Sequence, residues 1–530
     1  MRNLELPGRS PVHSTHGMAA TSHPLSTLAA LDVLRAGGNA MDAAVAACAV
    51  QCVVEPESTG IGGDCFVLYS KGGAGPVIAY NGSGRAPAAA TVDVYEHKGI
   101  KVIEPHSAHA VTVPGAVDAW TRLIADHGTR ELGELLRPAI AHAREGYPLS
   151  SRVAFDWKTA RETVLNDPGT AAVFMPGGAL PPVGAMHRQP LLADTLERIG
   201  REGRDGFYKG PVAQDIVAHL NGRGGLHTLA DFAAARGEYV QPIKTDFRGY
   251  DIYECPPNGQ GLIALLLLNV IAGLDMKGLD PLSLDRLHLF VEATRLAYHD
   301  RDAFLADPAQ ADVPVRALLS AAHADALRGQ IRRDRRLDPL PPVALPPHED
   351  TVYITVVDKD RNAVSFINSL FQSFGTGLMA PRSGVVLHNR GAGFTIERGH
   401  PNCIAPGKRP LHTIIPGMAM KDGRCVMPFG VMGGQYQAMG HAWFLSNLLD
   451  CGLDIQEAID LPRLFPMLAG PLEIESGIPA ATVDGLKRLG HVPTSPKKPI
   501  GGGQAIWIDW ASGVLSGGSD PRKDGCALGY

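Results

Sequence analysis

No excess of charge of one sign runs through this 530-residue sequence: 49 Lys and Arg stand against 54 Asp and Glu, a formal net charge of −5, and the pI is near 6.5. That balance argues against a general nucleic-acid or anionic-membrane binder, because both need a basic field. Long hydrophobic runs are missing too. Leu262 to Ala272 falls well short of the roughly 18–20 apolar residues that span a bilayer. The opening Met1-Arg2-Asn3-Leu4-Glu5-Leu6-Pro7 has no apolar core of the signal-peptide kind, so a cytoplasmic location is the default expectation. Cysteine is sparse: eight residues, scattered, with no CxxC among them. Without a leader they are expected to be reduced rather than bridged. Cys48 and Cys52 lie one helical turn apart with Cys65 nearby, but no His pair accompanies them, and buried packing is the better reading than a metal site. HExxH, a Walker loop and a GxGxxG after a strand are all absent.

What is present is core-forming sequence. Hydrophobic residues make up 45% and charged residues 19%, which excludes wholesale disorder. The length fits two to four packing units, or one large α/β unit. Pro24 opens a helix that Gly37-Gly38 stops, and Asn39 caps a second over Ala40 to Val54, with Asp42 in its first turn. Glu57 to Gly63 reads as a tight loop and Cys65 to Tyr69 as a buried strand. Residues 110–310 read as mostly helical, ending in a helix over Leu284 to Ala306. Segments around 377–387, 418–427 and 505–514 look β-like, and a helix follows Gly433-Gly434 through Trp443 and Leu448.

Between Asp307 and Asp350 the texture changes. Arg332-Arg333-Asp334-Arg335-Arg336 is followed by Asp338 to Pro347, where five of ten residues are proline. Such a stretch forms neither helix nor central strand, so 307–350 is expected to be an exposed, extended connector with a solvated Arg cluster. It ends abruptly at Thr351. Thr351 to Val357 reads as a strand, Asp358 to Asn362 as a turn, and Ala363 to Phe371 as the returning strand. A threonine at such a junction suggests a chemistry. Cleavage of the Asp350–Thr351 bond would give it a free α-amine, with a reference pKa of roughly 7.7–8.0, beside its own hydroxyl. One residue would then supply both nucleophile and base. Locally, the plainer alternative is that Thr351 merely begins an edge strand.

A set of ordered blocks decides between them. They are Gly17 to Pro24, Ala36-Gly37-Gly38-Asn39-Ala40-Met41-Asp42-Ala43-Ala44, Glu55-Pro56 with Thr59-Gly60-Ile61-Gly62-Gly63, and Pro114-Gly115-Ala116-Val117. In the second half come Thr351 with Val357 to Val364, Phe374-Gly375-Thr376-Gly377, Pro406 to Leu411, Gly433-Gly434 and Ser519-Asp520-Pro521-Arg522. Over nearly its whole length the sequence resembles the γ-glutamyltransferase (γ-glutamyltranspeptidase) family of N-terminal-nucleophile hydrolases. The resemblance implies an α+β fold, a four-layer αββα sandwich built jointly by two chains cut from one precursor. Residues 1–350 would form the large (α) subunit and 351–530 the small (β) subunit. It implies self-cleavage before Thr351, followed by amide hydrolysis or acyl transfer through an acyl-enzyme on the same hydroxyl. Ser369 takes the place of the hydroxyl that orients the nucleophile, and Gly433 and Gly434 match the backbone N–H pair of the oxyanion hole. Two glycines at a helix N-terminus also leave amides free to face negative charge, although Gly-Gly alone is often just a turn. No cofactor or metal is expected, because nucleophile, base and oxyanion hole all come from the polypeptide. The expected partners are a small-molecule amide and the two chains of one precursor, as one pair or as a homodimer of pairs, with neither nucleic acid nor membrane.

The departures from the family pattern bear on substrate. The arginine that grips a γ-glutamyl α-carboxylate corresponds to Ser83, with Arg85 displaced two residues along. The acidic position corresponds to Gly393, amide-bearing positions to Phe371 and Arg390, and paired serines to His412 and Thr413. A carboxylate for a substrate ammonium is thus gone, while Arg390 and His412 add cationic or donor capacity. These substitutions favour a small carboxylate-bearing amide without an α-amino group, oxamate-like or glutaryl-like, and the bulk of Phe371 favours the smaller. Two alternatives stay open: a γ-glutamyltransferase or glutathione hydrolase whose Arg390 and Arg85 pair with protein carboxylates, and an unprocessed pseudoenzyme or binding protein on the same fold.

Overall fold

The computed structural model describes residues 5, 8–338, 340, 351–467 and 470–530. Asp350 and most of the proline-rich stretch after Asp338 lie outside the described residues.

Alternation along the strands sets the layering. Every side chain of Asp64–Ser70 is buried, yet successive residues point to opposite faces. Cys65, Val67 and Tyr69 join one core and Phe66 and Leu68 another. Val352–Val357 divides the same way: Ile354 and Val356 go to the first core, Tyr353 and Val357 to the second. Strands covered on both faces therefore read as near-continuous apolar runs.

The sheet holding these strands runs Cys526–Gly529, Met18–Thr21, Val352–Val357, Ala363–Ser369, Asp64–Ser70, Ile78–Gly82, Glu238–Val240 in spatial order. A second runs Val12–Ser14, Leu515–Ser519, Gly502–Ile508, Arg424–Met432, Gly417–Lys421, Tyr250–Glu254, Ile243–Phe247. Their strand pairings are antiparallel. Phe66, Leu68, Ile367, Met418, Met420, Ile506 and Ile508 fill the space between the sheets. Helices cover both outer faces. Ala40–Val54, buried along its whole length, lies over the first sheet with Ala116–His127. Gly261–Ala272, Leu284–Phe304 and Gln437–Leu449 cover the second. The result is the four-layer αββα sandwich. Strands from before and after position 351 are neighbours in both sheets.

Local chemistry shapes these elements as expected at the start of the chain. Asn39 accepts N–H groups from Met41 and Asp42, and Asp42 returns the bond to the Asn39 N–H, closing a capping box. Elsewhere the expectations need correction. Residues 307–350 are not extended throughout: Val315–Leu318 and Ala321–Arg328 are helical, the latter capped by Ser320. The Arg332–Arg335 cluster does face solvent. Residues 110–310 are interrupted by Glu238–Val240, Ile243–Phe247 and Tyr250–Glu254, whose polar outward residues mask their strand pattern. Residues 377–387 form loops joined by the isolated bridge Met379–Val386, because left-handed turns at Gly377 and Gly384 prevent extension. All eight cysteines are free thiols. Among the described residues, no helix is long and apolar enough to cross a membrane.

Candidate active site

Thr351 stands immediately before the first strand of the hairpin Val352–Val357/Ala363–Ser369. The register pairs Val352 with Asn368, so Thr351 comes level with Ser369, the last residue of the returning strand. Both side chains are fully buried, and their hydroxyl oxygens lie 3.1 Å apart. The strand stops at Ser369 rather than Phe371 because the chain turns sharply: Phe371 has φ +80°, a conformation costing about 1–3 kcal/mol for a non-glycine residue. In that turn the Phe371 N–H donates to Ser369 Oγ at 2.8 Å. The loop Glu55 to Gly63 supports the turn from beneath. Leu370 N donates to Ser58 O, Phe374 N to Glu57 O, and Asn368 Nδ2 to Thr59 Oγ1 at 2.8 Å. Gly63 has to be glycine here, since a Cβ would stand 2.3 Å from the Ser369 carbonyl oxygen.

Arg390 comes from the short helical turn Arg390–Gly393. Asn389 holds that turn against the Phe371 loop: its N–H donates to Leu370 O, and its carboxamide exchanges hydrogen bonds with Gln372. The guanidinium is fully buried. Nη1 donates to Thr413 Oγ1 at 2.8 Å, Nη2 lies 3.5 Å from Ser369 Oγ, and Cζ sits 4.0 Å from the centre of the Phe371 ring. Among the described residues its Nε has no hydrogen-bond partner, and no carboxylate comes within ion-pair distance of the guanidinium. Burial pulls its pKa down to about 9, opposed by the charge of Asp64, so it remains a cation at neutral pH.

Asp64 is the residue that sequence reasoning missed. It opens a buried strand directly after Gly62-Gly63, with nothing but position to mark it. Its Oδ1 accepts the N–H groups of Gly84 (2.9 Å) and Gly115 (3.1 Å), and Oδ2 accepts from His412 Nε2 at 3.0 Å. Burial opposes its charge, but His388, His412 and Arg390 together hold its carboxyl down to about 2. This arrangement revises the reading of His412. Its Nδ1 accepts the Ile414 N–H and its Nε2–H goes to Asp64, so the ring is neutral and its proton is committed within the protein. Burial and the neighbouring Arg390 charge lower it to about 3. Arg85, also expected at the site, is turned away from it. It lies 3.4 Å from Glu238 and 3.6 Å from Asp307, with its side chain 36% exposed. Thr351, Ser369, Phe371, Arg390 and Thr413 are thus gathered in one place; Arg85 is outside it, and His412 is one step removed.

Gly433 and Gly434 form the corner between the Arg424–Met432 strand and the Gln437–Leu449 helix. Their N–H groups donate to no acceptor among the described residues. Gln260 braces this corner, donating from Nε2 to Gly434 O (2.9 Å) and Thr413 O (2.8 Å). Gly433 has φ +125°, and a Cβ on it would meet Gly501 Cα at 2.8 Å. Gly433→Ala is therefore expected to lower stability by about 1–3 kcal/mol, read as a lower midpoint of chemical denaturation; an unchanged midpoint would show the corner to be pliable.

One cluster of metal-ligating side chains stands apart from this site: His288, Glu292 and His491. Its donors are already paired. His288 Nδ1 meets His491 Nε2 at 2.9 Å and His288 Nε2 donates to Arg332 O, while Glu292 accepts from Arg295 and from Leu337 N.

Residues 26–530 match the family model described as gamma-glutamyltranspeptidase. The glutathione hydrolase-like YwrD proenzyme of Bacillus subtilis is 38% identical, covering 98% of this chain and 99% of its own. The oxamate amidohydrolase proenzyme of Klebsiella pneumoniae is 35% identical over 98% of this chain and 99% of its own. Among solved structures, cephalosporin acylase from Bacillus halodurans superposes with a TM-score of 0.93 at 39% identity, covering 100% of this chain and 99% of that one.

Proposed function

Because this chain belongs to the γ-glutamyltranspeptidase family, enzymes that act on amide bonds, we propose that it is a self-processing N-terminal-threonine amidohydrolase for a small carboxylate-bearing amide. In this reading the precursor cuts itself between Asp350 and Thr351, and chains 1–350 and 351–530 stay together as one sandwich. The freed α-amine of Thr351 takes the hydroxyl proton, Oγ1 attacks the substrate carbonyl, and the oxyanion faces the Gly433 and Gly434 amides. The proton passes to the departing nitrogen, an ester remains on Oγ1, and water releases it.

The observation that carries the substrate class is Arg390: a cation fully buried beside Ser369 and Thr351, with Nε unpartnered among the described residues. A buried charge without a partner is costly, and a substrate carboxylate would relieve it. The bulk of the Phe371 ring stacked under the guanidinium favours a small acyl group, and oxamate carries its carboxylate directly on the amide carbon. The oxamate amidohydrolase relative agrees with this choice. A second reading, a γ-glutamyl amide, is favoured by Asp64, a buried carboxylate able to attract an ammonium, and by the glutathione hydrolase-like relative. Against it, Asp64 is already bound by Gly84, Gly115 and His412.

A substrate panel separates them: ammonia release from oxamate, and p-nitroaniline release from glutaryl- and γ-glutamyl-p-nitroanilide. The carboxylate donors lacking an α-amine should exceed the γ-glutamyl donor roughly tenfold or more in kcat/KM, because one ammonium–guanidinium contact exceeds about 1.4 kcal/mol of repulsion. The reverse order would sink the carboxylate-pocket reading.

A further inference from the structure

Gln437 opens the helix that follows the Gly433-Gly434 corner and is fully buried. Its carboxamide is fixed at both ends. Oε1 accepts the Ile415 N–H at 3.0 Å, so the amino end must face the other way. There, Nε2 lies 3.4 Å from Thr351 Oγ1. The acceptor bond settles which atom is nitrogen, since a flipped carboxamide would set two hydrogen-bond donors against each other at Ile415. Gln435, two residues earlier, points elsewhere, with Oε1 receiving Arg301. At 3.4 Å the contact is long for an uncharged hydroxyl, and it is placed to tighten when charge appears on Oγ1.

We propose that Gln437 is a further catalytic group, whose Nε2–H stabilises negative charge on Thr351 Oγ1 whenever that oxygen is the leaving group. The assignment rests on reading Thr351 as the nucleophile. Oγ1 leaves twice. In processing, the Thr351 hydroxyl adds to the carbonyl carbon of residue 350 and the C–N bond breaks. The hydroxyl proton ends on the freed Thr351 nitrogen, leaving an ester. Water then adds to that ester, the C–Oγ1 bond breaks, and its electron pair returns to Oγ1, which takes up a proton from the attacking water. In turnover, hydrolysis of the acyl-enzyme repeats this second step. The Gly433 and Gly434 amides serve the carbonyl oxygen in both cases, whereas Gln437 serves the alkoxide. The N-terminal end of the helix contributes a field of the same sign.

The test needs no external substrate, because processing is its own reaction. Full-length precursor is followed by intact mass from the moment of synthesis, as wild type, Gln437→Glu and Gln437→Met. The glutamate keeps an acceptor for Ile415 and loses the donor; the methionine keeps the length and loses both. Loss of one such donor slows acyl chemistry about 10²–10³-fold, so both variants should accumulate uncut or ester-linked chain with half-times lengthened by that factor. Gln437→Glu should melt within a few degrees of wild type. Processing within about threefold of wild type in either variant would overturn the assignment. So would a collapsed melting temperature in both, which would make the residue structural. If the wild-type chain itself stays uncut, the Thr351 reading fails; if it cuts and Gln437→Glu cuts as fast, only Gln437 is removed.

Discussion

Thr351→Ala is expected to remain one 56.2 kDa chain on denaturing electrophoresis, while the wild-type chain resolves into fragments 1–350 and 351–530. The reason lies in the single atom removed. Oγ1 lies within hydrogen-bond reach of the Ser369 hydroxyl and the Gln437 carboxamide, and alanine leaves no oxygen there to form an ester. Amide hydrolysis should fall with it, on the order of 10⁶-fold, as when the nucleophile of another acyl-transfer enzyme is deleted. The fold should survive, because the hairpin pairing from Val352 to Val357 runs through backbone groups. Thr351→Ser restores a hydroxyl at the same position and should restore cutting. A Thr351→Ala chain that still divides before residue 351, or a wild-type chain that persists at full length, would eliminate this nucleophile.

Arg390→Ala is expected to raise KM for a carboxylate-bearing amide far more than it lowers kcat. Removing one member of a buried, hydrogen-bonded charge pair costs about 2–5 kcal/mol, or roughly 30- to 5,000-fold in affinity. Arg390→Lys separates charge from geometry. It keeps a cation but cannot span Thr413 and Ser369 as the planar fork does, and it loses the flat contact with Phe371. Its KM should fall between those of wild type and alanine. The same substitutions should leave the KM for a neutral ester such as p-nitrophenyl acetate nearly unchanged. Equal KM changes for neutral and anionic substrates would show that Arg390 shapes the cavity without gripping a carboxylate.

Much of this was legible in the sequence, and for identifiable reasons. The hairpin after the proline run announces itself by β-branched residues around Asp358 to Asn362, and the Ala40–Val54 helix by its Asn39 cap. Gly433-Gly434 stands out through the family resemblance, since a Gly-Gly pair by itself more often marks just a turn. What escaped is what depends on distant contacts. Arg85 and Arg390 look alike as letters, yet one is partly exposed and reaches Glu238 and Asp307 while the other is enclosed against Thr413 and Ser369. Asp64 opens a strand whose next residues are apolar, and only the arrival of Gly84, Gly115 and His412 from elsewhere makes it an anchored anion. His412 reads as a positive group until its two ring nitrogens are traced to Ile414 and Asp64. Gln437 was visible, three residues beyond Gly434, but an amide in a first helical turn carries no mark of what it faces.

The interleaving of strands on either side of position 351 has a thermodynamic consequence. Val352–Val357 pairs on one side with Met18–Thr21, and Ala363–Ser369 pairs with Asp64–Ser70, so neither portion of the chain can complete a sheet alone. Before cutting, unfolding is a unimolecular event whose balance is indifferent to dilution. After cutting, the same folded shape becomes an obligate pair, and its reassembly requires two molecules to meet. Self-cleavage would thus turn a reversible equilibrium into one set by concentration, leaving the mature form to persist through slow unfolding more than through ready refolding.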